Sequence, residues 1–134
     1  MPRKLKLSTF QIGTRPKASQ GVRIGATRLP PRGVSKSRWK KDGYFDVWLP
    51  VIAPSKRLLS WIRQRDINDA ATRKTFFDRY EREILGDSTA RHTLQLLAEL
   101  AKRTPISVGC FCKDESRCHR SRLFRLIEAA AKEG

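Results

Sequence analysis

A single small α/β domain, a mostly parallel sheet of few strands covered by helices, is the fold class this 134-residue sequence predicts. Three observations predict it. Short strand-like runs open the chain, three capped helical patterns fill its middle, and an apolar run, Ile106 to Cys112, separates the third from a last helical pattern. That run is long enough for a buried central strand and too short for a helix.

The elements follow in chain order. Lys4 to Ile12 alternates loosely and predicts a first strand; Gly13 to Gly21 carries loop chemistry throughout. Val22 to Arg28 predicts a second strand. Pro30 and Pro31 then stop regular structure, since each lacks an N–H donor and restricts the residue before it. Ser35 to Asp42 is a basic connector holding Trp39. Phe45 to Ile52 is apolar but broken by Pro50, which predicts a short edge segment or an irregular core plug. Ser55 is placed to cap a short helix with Leu58, Leu59 and Ile62 inward. Asn68 or Asp69 caps a second, with Phe76, Phe77, Tyr80 and Ile84 on one face and Gly86 at its end. Asp87 to Thr89 offers caps for a third, whose Leu94, Leu97, Ala98 and Ala101 recur at helical spacing until Thr104-Pro105. The last helix is expected from about Arg117, with Leu123, Leu126, Ile127 and Ala130 on its apolar face. The elements make one domain over residues 1–134.

Hydrophobic content of 39% with 8% aromatics is ordinary for a globular chain, and no apolar run reaches the roughly 20 residues a membrane span needs. A membrane partner is therefore not expected. The basic start lacks the apolar core of a signal peptide, and three cysteines clustered within one stretch do not form a disulfide framework. Reduced thiols in a cytoplasmic protein are the expectation. Charge is the unusual quantity: 29 Lys and Arg against 13 Asp and Glu leave +16. Such a surface attracts polyanions, nucleic acid first, whether or not that is its purpose.

Several segments together resemble a known family. Gly21 to Lys36 (GVRIGATRLPPRGVSK), Ala53-Pro54-Ser55 before a helix, Phe77-Asp78-Arg79-Tyr80-Glu81-Arg82-Glu83, and the strand to Cys112 running into Cys118-His119-Arg120 are similar to the YeaO-like proteins, domain of unknown function 488. The resemblance spans about residues 5–130 and implies a compact α/β fold without implying an activity. Two departures stand out. Where members usually read Asp-Arg-Leu-Trp-Pro-Arg-Gly, Thr27 replaces the acid and Pro30 replaces the tryptophan.

All three cysteines and one of two histidines fall between Cys110 and His119, where a strand turns into a helix. Ligands of open α/β sheets bind outside the carboxyl ends of the strands, beside helix starts. Cys112 is thus a candidate nucleophile and His119 a candidate acid–base group. Against catalysis, Asp114 and Glu115 repel an oxyanion and disfavour a thiolate, and suit a helix start instead. A metal is not expected. Zinc favours ligand pairs two to four residues apart, and neighbours on a helix such as Cys118 and His119 diverge by about 100°. Combining Cys112, Cys118 and an outside ligand such as His92 is the one alternative. Cys110 and Cys118 otherwise serve as small core residues, and no cofactor is expected.

Arg28, Arg32, Lys113 and Arg120 are candidates for binding an anion at one sheet edge, because guanidinium forks match phosphate and carboxylate. Equally, Arg28 and Arg120 could pair with Asp114 and Glu115. On the connector, Lys36, Arg38, Lys40 and Lys41 flank Trp39, which suits phosphate contacts with base stacking unless the ring folds inward. Two functions follow. The charge favours a non-specific nucleic-acid-binding module; the alternative is an enzyme acting on a phosphorylated or other anionic small molecule in an Arg/Cys/His crevice at the sheet's C-terminal edge.

Overall fold

Burial of every residue in the strand Ile106–Cys110 fixes where the other elements lie. In the computed structural model, which describes residues 5–133, this strand is β4 and sits inside an all-parallel sheet. Its companions are β1 (Leu7–Gln11), β2 (Val22–Gly25) and β3 (Val47–Trp48), in the order β1-β4-β2-β3. Lys4, where the first strand was expected to start, lies outside the described residues. β4 has neighbours on both sides, so its backbone groups pair with β1 and β2 and its apolar run needs no solvated face.

Parallel neighbours require crossovers. The one from β3 to β4 carries α1 (Lys56–Arg63), α2 (Ala70–Leu85) and α3 (Ser88–Arg103), and α4 (His119–Glu133) follows β4. Each expected cap is present. Ser55, Asp69 and Asp87 accept from the backbone N–H groups of Leu58, Thr72 and Thr89, and Gly86 closes α2. Residues 45–52 combine both expected forms: β3 is an edge strand, and Pro50 turns the chain into a 3-10 turn that buries Ile52 completely.

The helices cover one face of the sheet only. Ile24, Ala26, Ile106 and Val108 pack with the apolar stripes of all four helices. Phe10, Ile12 and Phe45 form a second cluster on the other face, with Trp39, Tyr44 and Trp48 packed against it. Two glycines allow that aromatic layer. Gly25 and Gly109 are register partners, and a Cβ on either would stand 2.4 Å from the ring of Phe45 or Phe10 respectively. The connector thus acts as a lid on the sheet rather than as a free arm. Among the described residues, no helix is long and apolar enough to cross a membrane.

Candidate active site

β4 delivers Cys110 to the carboxyl edge of the sheet on the helical face, 8% exposed. The chain then leaves the sheet through Phe111 and Cys112, both exposed, and makes a 3-10 turn at Glu115–Arg117. Cys118 ends that turn with extended backbone (φ −110°, ψ 143°), and α4 starts only at His119. This turn decides the geometry. Because Cys118 is not helical, the 100° divergence of helical neighbours does not apply, and its buried side chain returns toward β4.

The three sulfurs converge. Cys110, Cys112 and Cys118 place their Sγ atoms within 4.8 Å of one another, with Cys110 Sγ 3.8 Å from Cys112 Sγ. The sequence spacing argued against such a cluster; the extended residue before α4 creates it. S–H donation from Cys110, and then from Cys118, holds the Cys112 thiol well below its ordinary pKa, aided by Arg120. The same sharing pushes the buried Cys118 thiol up and raises Cys110 to about 11.

His119 is 5% exposed and packs edge-on to Tyr80 at 5.2 Å between ring centroids. Its Nε2 lies 2.7 Å from the Ala26 carbonyl, which only accepts, so the proton sits on Nε2. The Nδ1 lone pair then faces Cys118 Sγ at 3.9 Å. Burial lowers the imidazole pKa, which keeps it neutral at neutral pH.

The four anion-binding candidates part ways. Arg120, 4% exposed, donates to the Cys112 carbonyl at 2.6 Å and to the Lys113 carbonyl, so it clamps the cysteine loop from below. Arg28 donates to the carbonyls of Ala53 (2.8 Å) and Pro54 (3.1 Å), pinning the entry to α1. Arg32 and Lys113 are exposed. Neither Arg28 nor Arg120 pairs with the loop acids: Asp114 pairs with Arg117 and accepts from Ser116, while Glu115 accepts from Thr9 Oγ1 at 2.6 Å. Satisfied in this way, the two carboxylates are held by their own neighbours.

Two adjoining cavities open here, sharing Leu59, Arg63, Cys110 and His119 as walls. One, about 370 Å³, is bounded by the three cysteines, Ile67, Phe76 and Arg117. The other, about 270 Å³, reaches Thr27, Arg28 and Arg32 across the Pro30-Pro31 turn. Thr27 is buried and donates to the Leu29 carbonyl at 2.9 Å, stiffening that turn.

Arg63, Arg65 and Arg117 line this crevice and were not among the anion-binding candidates. The signal for Arg63 was present: it follows Leu59 by four residues, so the two share a face of α1. Arg117 lay inside the cysteine motif but read as the start of a helix. His92, the alternative outside ligand, is exposed on α3 and does not join the thiol cluster.

On the connector, Lys36, Arg38, Lys40 and Lys41 are exposed. Trp39 is turned inward, edge-on to Phe45 at 5.1 Å and to Trp48 at 5.8 Å. Lys36 and Lys41 are open to a polyanion, Arg38 and Lys40 have carboxylates beside them, and the indole is not available.

A family model, DUF488-N3a, described as the active DUF488-N3 subclade, matches residues 7–131. No curated protein and no solved structure matches the chain.

Proposed function

Since this chain belongs to the DUF488 family, in the branch described as the active DUF488-N3 subclade, we propose that it is an enzyme acting on a phosphorylated or other anionic small molecule. One observation carries the reading: the crevice at the carboxyl edge of the sheet joins an exposed sulfur to a rim of three arginines, of which Arg117 is paired with Asp114 on the same wall. Cys112 lines it together with Arg63, Arg65 and Arg117, and Leu59, Ile62 and Phe76 supply its apolar walls. Apolar walls with a few convergent charges are the usual make-up of a small-molecule site. Arg120 serves as a positioning residue, fixing the carbonyls of Cys112 and Lys113 rather than touching a ligand.

Calorimetric titration with inorganic phosphate, pyrophosphate and AMP tests the reading. At least one should bind, and Arg63→Ala with Arg117→Ala should weaken it by about tenfold or more, as expected for lost charge-assisted hydrogen bonds. Absence of binding by all three, or binding indifferent to both substitutions, would remove the crevice from consideration.

The net charge of +16 and the exposed Lys36, Arg38, Lys40 and Lys41 support a second reading, a module that binds nucleic acid without sequence preference. The inward Trp39 takes away its stacking platform, so the crevice is the better supported of the two.

A further inference from the structure

Three thiols rarely meet without a task, and here they meet beside an open cavity. We propose that Cys110, Cys112 and Cys118 bind a thiophilic divalent cation of the zinc type, leaving its fourth coordination position open to the crevice.

The geometry carries this. Zinc bound to thiolates at about 2.3 Å in a tetrahedron sets its sulfurs about 3.8 Å apart. Cys110 and Cys112 already stand at 3.8 Å, and all three sulfurs lie within 4.8 Å of one another, so no pair is more than about 1 Å from that spacing. Structural zinc sites close with four protein ligands, whereas three with a vacant position mark sites that meet a small molecule. The cavity of about 370 Å³ is bounded by all three cysteines, which gives the fourth position somewhere to open.

His119 flanks the set without completing it. Its Nδ1 neighbours Cys118 Sγ, but the imidazole does not share the mutual spacing of the sulfurs. Its hydrogen bond to the Ala26 carbonyl holds the ring beside them. Loading the ion forms three metal–sulfur bonds and releases the thiol protons to solvent, so the centre carries one net negative charge. Arg120 and Arg63 lie around it and offset that charge, while Arg117 is already paired with Asp114.

Metal binding does not require the enzyme reading, although the open position faces the cavity proposed for the anion. The test is a cobalt titration of the full, reduced, metal-free chain, with zinc as competitor. One equivalent of cobalt should give the intense visible bands of a tetrahedral ion and thiolate-to-cobalt charge transfer in the near ultraviolet. Zinc should erase both.

Cys112 is exposed, so Cys112→Ser should keep the fold, checked by circular dichroism and the Tm of the metal-free protein. Cobalt affinity should nonetheless fall by more than the roughly 10–100-fold that outer-shell changes cost. A wild-type protein without the charge-transfer band, or a Cys112→Ser protein that binds cobalt with unchanged spectrum and affinity, overturns the site. Phosphate, pyrophosphate and AMP titrated into metal-free and zinc-loaded protein read the anion site separately. Cobalt binding without anion binding keeps the metal site and removes the enzyme reading; the reverse result does the opposite.

Discussion

Tyr80 shows how one side chain ties the helical layer to the site. It is fully buried on α2, donates to the Ile52 carbonyl at 2.6 Å, and presents its ring edge to His119. Burial raises its phenol pKa well above the ordinary value, so it remains a donor over the whole accessible pH range. Tyr80→Phe keeps the ring and strands a buried carbonyl. The loss should be about 1–3 kcal/mol, read as a lower midpoint in urea at unchanged m. A neutral substitution would show that the Ile52 carbonyl is satisfied without the phenol. Because Phe retains the ring that packs on His119, this variant should leave the crevice undisturbed. Tyr80 was legible as a core residue from the spacing of Phe76, Phe77, Tyr80 and Ile84, yet its partner was not. A hydrogen bond to residue 52 depends on how α2 lies against the Pro50 turn, which no local pattern encodes.

Among the elements, α1 is short, and its start does more than begin a helix. Ser55 Oγ accepts from Leu58 N at 3.1 Å, while the Ser55 hydroxyl and N–H both donate to Glu83 on α2. Ser55→Ala removes the cap, worth about 1 kcal/mol, and one of the two hydrogen bonds from Ser55 to Glu83 on α2. Thermal melts should therefore show a loss larger than the cap alone supplies. Glu83→Gln should cost less when Ser55→Ala is already present than it does in the wild-type chain, because one of its two contacts is then gone. Equal losses in both backgrounds would separate the cap from the bridge. Caps such as Ser55, Asp69 and Asp87 were readable in the sequence because capping is settled within a few residues. The convergence of the cysteines was not, since it rests on Cys118 staying extended where the pattern suggested a helix from Arg117. Trp39 illustrates the same limit: its neighbours in sequence are cations, and its neighbours in space are Phe45 and Trp48.

For the molecule as a whole, +16 sets how it meets polyanions. With Trp39 packed inward, the connector can contribute charge but no base stacking, and two of its cations are already engaged: Arg38 with Asp42 at 2.9 Å and Lys40 near Asp46 at 3.9 Å. Binding to a short labelled single-stranded oligonucleotide should then be governed by counterion release. Each phosphate neutralised adds about 0.7 to the slope of log K against log salt, and little preference among base compositions should appear. Lys36→Ala with Lys41→Ala should lower that slope by roughly 1.4 if both cations contact phosphate, while leaving phosphate or pyrophosphate binding in the crevice unchanged. Fluorescence anisotropy across a salt series measures the slope directly. Tight binding that persists at physiological salt would restore the nucleic-acid module as the primary function. A slope that falls in the double variant, together with affinity that fades by physiological salt, would leave the connector as a charged lid and the crevice as the site under selection for chemistry.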